Sequence, residues 1–189
     1  MPRGAERERA ILAAALSIVG EVGYDATTTD AVARRAGASK ATIYRRWPNK
    51  AALVRAALDT LDAEDASSVP DTGALRTDLL AVLDHLREKA STPYVALLTE
   101  LALAARRDPE LAEALREHVE DESLSPFAEA LARAVVRGEL PPDVDGGLVH
   151  DVAEALILRQ IQVGAPLDAE FALRVVDGVL LPLLHRTPR

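Results

Sequence analysis

"TTTDAVARRAGASKATIYRRWPNK", residues 27–50, reads as two short helical runs separated by Gly-Ala-Ser. The first begins with hydroxyl residues able to cap a helix, carries Val32, Ala33 and Ala36 on one face, and stops at Gly37. Ser39 can cap the second, "KATIYRRW". Pro48 ends it at or before Trp47, because the residue preceding a proline is pushed out of the helical region. Two helices joined by so tight a turn have the dimensions of a helix-turn-helix, whose second helix enters the DNA major groove. Gly37 tolerates the backbone angles the turn demands, and Ala33, Ala36 and Ala38 are small enough for close helix contact beneath Ile43. The outer side is left with Lys40, Thr42, Tyr44, Arg45 and Arg46, donors suited to phosphates and base edges.

Charge supports that reading. Residues 1–58 hold ten Lys and Arg against five Asp and Glu, a net of +5, while the remainder holds twelve against twenty-five, a net of −13. A local basic head on an acidic body fits polyanion binding, although the whole chain carries −8. The 189 residues contain no cysteine, which excludes disulfides, thiolate nucleophiles and zinc-thiolate sites. The charged start, with its spaced apolar residues, does not read as a signal peptide, and no apolar run approaches the roughly 20 residues of a membrane span. A soluble, cytoplasmic protein is expected.

Helical periodicity continues on both sides. Ile11, Ala14, Ala15, Ile18, Val19 and Val22 form the stripe of a first helix that stops at Gly23, and Asn49 can cap a fourth, "KAALVRAALDTLDA". The polar segment "EDASSVPDTG", residues 64–73, reads as a link between a head, 1–63, and a body, 64–189. In the body, Leu75, Leu79, Val82, Leu83 and Leu86 make one stripe, and "STP" and "DPE" each start another helix, the second running to about Arg137 with a bend near Pro126. Two further helices, about 146–163 and 168–184, are apolar over well more than one face; either a second copy of the same pair covers the excess, the preferred reading, or both are core of a monomer. No period-2 strand pattern is present. The expected fold is all-α, with about nine helices.

The stretch "GYDATTTDAVARRAGASKATIYRRWPNK" resembles the TetR family of transcriptional regulators: a glycine-aromatic turn, a Thr-Thr helix start, an "A..AG" turn, and a recognition stretch ending in Asn-Lys. The resemblance covers about residues 7–60 and implies a three-helix helix-turn-helix domain followed by a helical ligand-binding and dimerisation domain. "DPELAEALREHV" and "RGELPPDVD" are similar to one subgroup of the family's regulatory domains. It implies DNA contacts at Thr28, Thr29, Lys40, Ala41, Thr42, Tyr44, Arg45, Arg46 and Lys50. Of these, Lys40, Thr42 and Arg45 are expected to read bases, and Tyr44 and Lys50 to hold phosphate. Asp30 departs from a pattern in which some members carry a basic residue. It can accept from a cytosine amine, repel phosphate or serve its helix N-terminus, the last being preferred. Trp47 is expected in the core, and Arg3, Arg7 and Arg9 form either a phosphate-binding arm or a solvated tail.

The resemblance also implies a homodimer on a palindromic double-stranded operator and release by a small-molecule effector. Polar residues inside apolar stretches are the effector-site candidates: His85, Tyr94, Thr99, Glu100, Arg159 and Gln160, with Glu100 and Arg159 as a possible structural ion pair instead. His85, His118, His150 and His185 lie more than 30 residues apart, without a partner ligand of the usual kind three or four residues on, so no metal is expected. No cofactor or enzymatic motif is present. The expected function is a ligand-responsive repressor. Its rivals are an architectural or replication-linked DNA-binding protein without an inducer, and a helical carrier or enzyme that has lost DNA binding.

Overall fold

The structure, a computed structural model, describes residues 2–66, 70–90, 93–121 and 125–185. Among these it contains ten helices and no strand. They are α1 (Pro2–Val22), α2 (Thr29–Arg35), α3 (Lys40–Tyr44), α4 (Lys50–Ala66), α5 (Leu75–Ala90), α6 (Tyr94–Ala105), α7 (Pro109–Val119), α8 (Pro126–Val136), α9 (Gly146–Gln162) and α10. The last runs as Ala169–Val175, widens into a π-helical turn at Val176–Leu180, and finishes as Leu181–Leu184. Arg7 and Arg9 lie within α1 and so do not form an extended arm; the side chain of Arg3 is outside the described residues.

Most helix starts are written in short polar residues whose side chains accept from otherwise unpaired backbone N–H groups. Asp108 accepts from Glu110 and Leu111 at 3.0 and 3.1 Å, Asp145 from Leu148 at 2.9 Å, and Asp168 from Phe171 at 2.8 Å. One such cap changes the helix count. The expected single helix bending near Pro126 is two helices: α7 ends at Val119, and α8 begins afresh at Pro126. Pro126 has no N–H to continue a helix, and the Ser125 hydroxyl accepts from Phe127 N at 3.2 Å, so the segment is built as a helix start.

The helices form two compact units that do not follow the chain. The first comprises residues 1–61 and 93–120. One of its clusters packs Ile11, Ala15 and Ile18 of α1 against Val32, Ile43 and Trp47. Another joins Val19 and Tyr24 to Val54 and Leu58 of α4, Leu101 of α6 and Leu111 of α7. Each fully buried aliphatic side chain contributes about 1.5–3 kcal/mol.

The second unit comprises residues 62–92 and 121–189 and packs α5, α8, α9 and α10 around Leu79, Phe127, Val149 and Leu180. Read at α-helical spacing, the sequence puts Phe171, Val175, Val179, Leu180 and Leu183 on one stripe of α10 with Val176 and Leu181 beside it, and the structure departs from that beyond Val175. Val176, Leu180 and Leu184 are buried at four-residue spacing, whereas Val179 is exposed. The wider turn, in which Leu181 N donates to Val176 O, shifts the register just before Pro182, which has no N–H to give. Arg76 of α5 forks onto Asp177 in that turn at 2.7 and 2.8 Å.

A buried charge closes this unit. Asp78 is fully inaccessible, and its carboxylate accepts from Thr72 N (2.8 Å), Thr72 Oγ1 (2.6 Å) and Arg137 Nη2 (2.9 Å). Glu139 accepts from Leu75 N at 2.9 Å and from Arg137 Nε at 2.5 Å, so the "RGE" turn supplies both partners that start α5. Burial alone would raise the pKa of Asp78, but the Thr72 hydrogen bonds and the Arg137 guanidinium outweigh it and hold the carboxyl below the ordinary range. A depressed pKa stabilises the fold at pH values above the unfolded-state value near 4, and that stabilisation is lost as pH falls through the folded-state value. Asp78→Asn should therefore cost about 3 kcal/mol at pH 7. In urea titrations across pH, its deficit relative to wild type should shrink below about pH 4.

Candidate nucleic-acid interface

The connection between α2 and α3 is set by the backbone. Thr28 caps α2, its hydroxyl accepting from Ala31 N at 3.2 Å. At the other end Ala38 N donates to Ala33 O (2.9 Å) and Gly37 N to Arg34 O (3.4 Å), with Gly37 at φ +60°. This is a Schellman closure, which needs a residue at ease in the left-handed region. Ser39 then caps α3, accepting from Thr42 N at 3.2 Å while its hydroxyl meets Thr42 Oγ1 at 2.9 Å. Ile43 and Trp47 are buried against α1, which confirms Trp47 as an anchor of the helix.

The outward residues fall into distinct electrostatic states. Lys40, Ala41, Tyr44, Arg45 and Arg46 are exposed, Tyr44 to 53%. Lys40 is ion-paired with Asp30 in the first turn of α2, and Arg46 with Glu8 of α1. Among the described residues Arg45 has no carboxylate partner. Thr28 is exposed, and Thr29 and Thr42 are half-buried. Beside them Arg35 forks onto Glu21 at 2.5 and 2.8 Å and reaches Ser17 at 2.9 Å, tying α2 to α1. These contacts hold the Glu21 carboxyl below the ordinary range, through the Arg35 hydrogen bond first and Ser17 second.

Lys50 is engaged from within. Its ammonium donates to Tyr24 O at 2.7 Å and stands 3.9 Å from the centre of the Tyr24 ring. The same residue's N–H donates to Glu100 Oε1 of α6 at 3.2 Å. Gly23 sits at φ +83°, an angle that favours glycine, and a Cβ there would stand 2.8 Å from Glu100 Oε1, so the carboxylate would have to shift. Thr27 is buried and donates to Gly23 O at 2.7 Å. Burial, then the nearby Asp108, Glu110 and Asp25 carboxylates, push the Tyr24 phenol up, so it stays protonated at physiological pH. The turn before the helix-turn-helix is thus gripped from α4 and α6. Sequence reasoning missed Glu100 in this role, since its partner lies 76 residues away.

The six expected effector contacts are divided between the two units. Tyr94, Thr99 and Glu100 belong to the first unit, and His85, Arg159 and Gln160 to the second. Glu100 Oε1 accepts from Tyr24 N, Thr99 Oγ1 donates to Val95 O at 2.8 Å, and Gln160 Nε2 to Pro166 O at 2.9 Å. A cavity of about 360 Å³ in the first unit lies between α4 and α7, lined by Asn49, Arg55, Asp59, Glu110 and Glu117 among others, and holds none of the six. No group of three or more His, Asp or Glu able to hold a metal occurs among the described residues.

Residues 11–57 match the family described as bacterial regulatory proteins, tetR family, and residues 69–179 match the tetracyclin repressor-like C-terminal domain. Over 183 residues the chain is 50% identical to a DNA-binding transcriptional repressor TetR of Mycobacteroides abscessus, covering 97% of this chain and 96% of that protein. The chain belongs to the TetR family. It is similar also to an uncharacterised HTH-type transcriptional regulator of Mycobacterium tuberculosis, at 36% identity over 96% of this chain and 89% of the relative. Among solved structures it resembles the TetR family transcription regulator SCO0332, with TM-score 0.68, 35% identity, and 92% and 98% of the two chains covered. As a TetR-family protein it is a DNA-binding transcriptional regulator and not an enzyme. Among the described residues no helix is long and apolar enough to cross a membrane.

Gly23→Ala should destabilise the protein by about 1–3 kcal/mol, from the strained backbone and the displaced Glu100 carboxylate. Guanidinium unfolding measures it, and the same variant should bind DNA more weakly because the start of α2 loses its anchor.

Proposed function

We propose that this TetR-family regulator is a cytoplasmic repressor that binds a palindromic DNA operator as a homodimer and leaves it when a small-molecule effector binds the helical part, residues 64–189. Residues 1–63 form its DNA-binding domain. The observation that carries the reading is the outer face of the helix-turn-helix. Trp47 and Ile43 are turned into the core while Lys40, Tyr44, Arg45 and Arg46 stand in solvent on one short helix and the residues just after it. The relative described as a DNA-binding transcriptional repressor TetR, alike over almost the whole chain, supports the sign of regulation.

In this reading Lys40, Thr42 and Arg45 face base edges, with Ala41 beside them, and Arg45 is the cation best placed to fork onto guanine because no carboxylate among the described residues competes for it. Tyr44, Arg46, Thr28, Thr29 and Lys50 hold phosphate. Lys50 keeps one ammonium hydrogen on Tyr24 O and has others to offer. The dimer forms through the last two helices, about 146–163 and 168–184. There Leu148, Leu173 and Val179 are exposed at 43%, 41% and 36%, and a twofold-related copy of the same face would cover them.

Selection from a random duplex pool tests the reading. The full chain should enrich an inverted repeat, and sedimentation should show a dimer bound to it. Arg45→Ala should lower affinity for that site by about tenfold or more and relax preference at one base pair in each half-site. Recovery of unselected sequence would refute the reading.

A further inference from the structure

The Lys40–Asp30 ion pair carries an inference that rests on the proposed DNA-binding reading and goes beyond it. Asp30 is the second residue of α2 and Lys40 the first of α3, so their pairing spans the turn on the outer face, with both side chains more than half exposed. An exposed pair of this kind adds little to stability. A carboxylate on a surface that meets phosphates opposes DNA binding, whereas Arg34, one turn along α2, and Arg45, just after α3, are exposed cations with no carboxylate partner among the described residues.

The pair has the chemistry of one base-pair edge. Across the major groove a G·C pair presents guanine N7 and O6 as acceptors and then cytosine N4 as a donor. O6 and N4 are themselves hydrogen-bonded at about 3 Å, the separation expected of two ion-paired groups. An ammonium on O6 and N7 beside a carboxylate on N4 satisfies the whole edge without the two charges parting. The reversed C·G pair sets donor against ammonium and acceptor against carboxylate. A T·A pair matches at O4 and N6 but offers the ammonium a methyl group and sets adenine N7 against the carboxylate.

We propose that Asp30 and Lys40 act together as a single reader of one G·C base pair in a fixed orientation in each operator half-site, Asp30 being a specificity-determining residue. On other DNA the pair must break for Lys40 to reach phosphate, leaving the Asp30 charge facing the backbone. Asp30 therefore weakens non-cognate binding while permitting the cognate complex.

The experiment compares full-length wild type, Asp30→Ala and Asp30→Asn in selection from a random duplex pool, together with salt titrations on an unselected random duplex. Equal thermal midpoints establish that the variants fold. Wild type should enrich sites with an oriented G·C pair, and Asp30→Ala should lower preference for it by about tenfold with other positions unchanged. On random duplex Asp30→Ala should bind more tightly, with a salt slope steeper by about one as Lys40 gains a phosphate. Asp30→Asn keeps an acceptor for N4 but not the charge, so it should retain more of the preference while steepening the slope. Unchanged preference at every position in Asp30→Ala, or uniform loss of binding to all DNA, would overturn the proposal. Failure of wild type to enrich any sequence would instead overturn the DNA-binding reading beneath it.

Discussion

The grip on Tyr24 is the constraint on which the placement of the helix-turn-helix depends. Glu100 takes its N–H and Lys50 its C=O, so an anion from α6 and a cation from α4 hold the two polar groups of one residue. The ring below is buried and receives the same ammonium on its face. Everything between this point and Trp47 is short. A seven-residue helix and a five-residue helix cannot hold themselves in water, since isolated helices of such length do not form. They persist because Val32, Ile43 and Trp47 are seated on α1 and because the chain enters α2 from a fixed direction.

What could be read from the sequence follows the reach of the signals. The helix-turn-helix was legible because its determinants are local: Thr28, Gly37 and Ser39 act on backbone groups within five residues. The starts of α7, α9 and α10 were legible for the same reason. The break at residue 126 was present in the Ser-Pro pair yet reads equally well as a bend, because proline is compatible with both and only the Ser125 cap decides. In α10, Pro182 was visible, but an α-helical period carried across it puts Val179 inside, and the π turn puts it outside.

The contacts that set geometry over long separations left no mark. Glu100 looked like a polar residue stranded in an apolar run, which is how a ligand contact and a structural acceptor both look. Asp78 sat in the first turn of α5 as an ordinary helix-start acid, although it is fully buried against Arg137 fifty-nine residues on. Lys40 was read as an outward donor, and its ion pair with Asp30 of the preceding helix had no local signal. Charge counting found the basic head, but the distribution of pairing within it, with Lys40 and Arg46 matched and Arg34 and Arg45 without a carboxylate partner among the described residues, required the fold.

The Schellman turn also bears on how such a surface can change over generations. The closure is made by main-chain N–H and C=O groups and asks only for Gly37 and a capping hydroxyl at Ser39, while packing asks for Val32, Ala33, Ile43 and Trp47. Positions 40, 41, 44 and 45 serve neither requirement. Their side chains can be exchanged without refolding the protein, so the chemistry of this outer face can drift while the scaffold that presents it stays fixed.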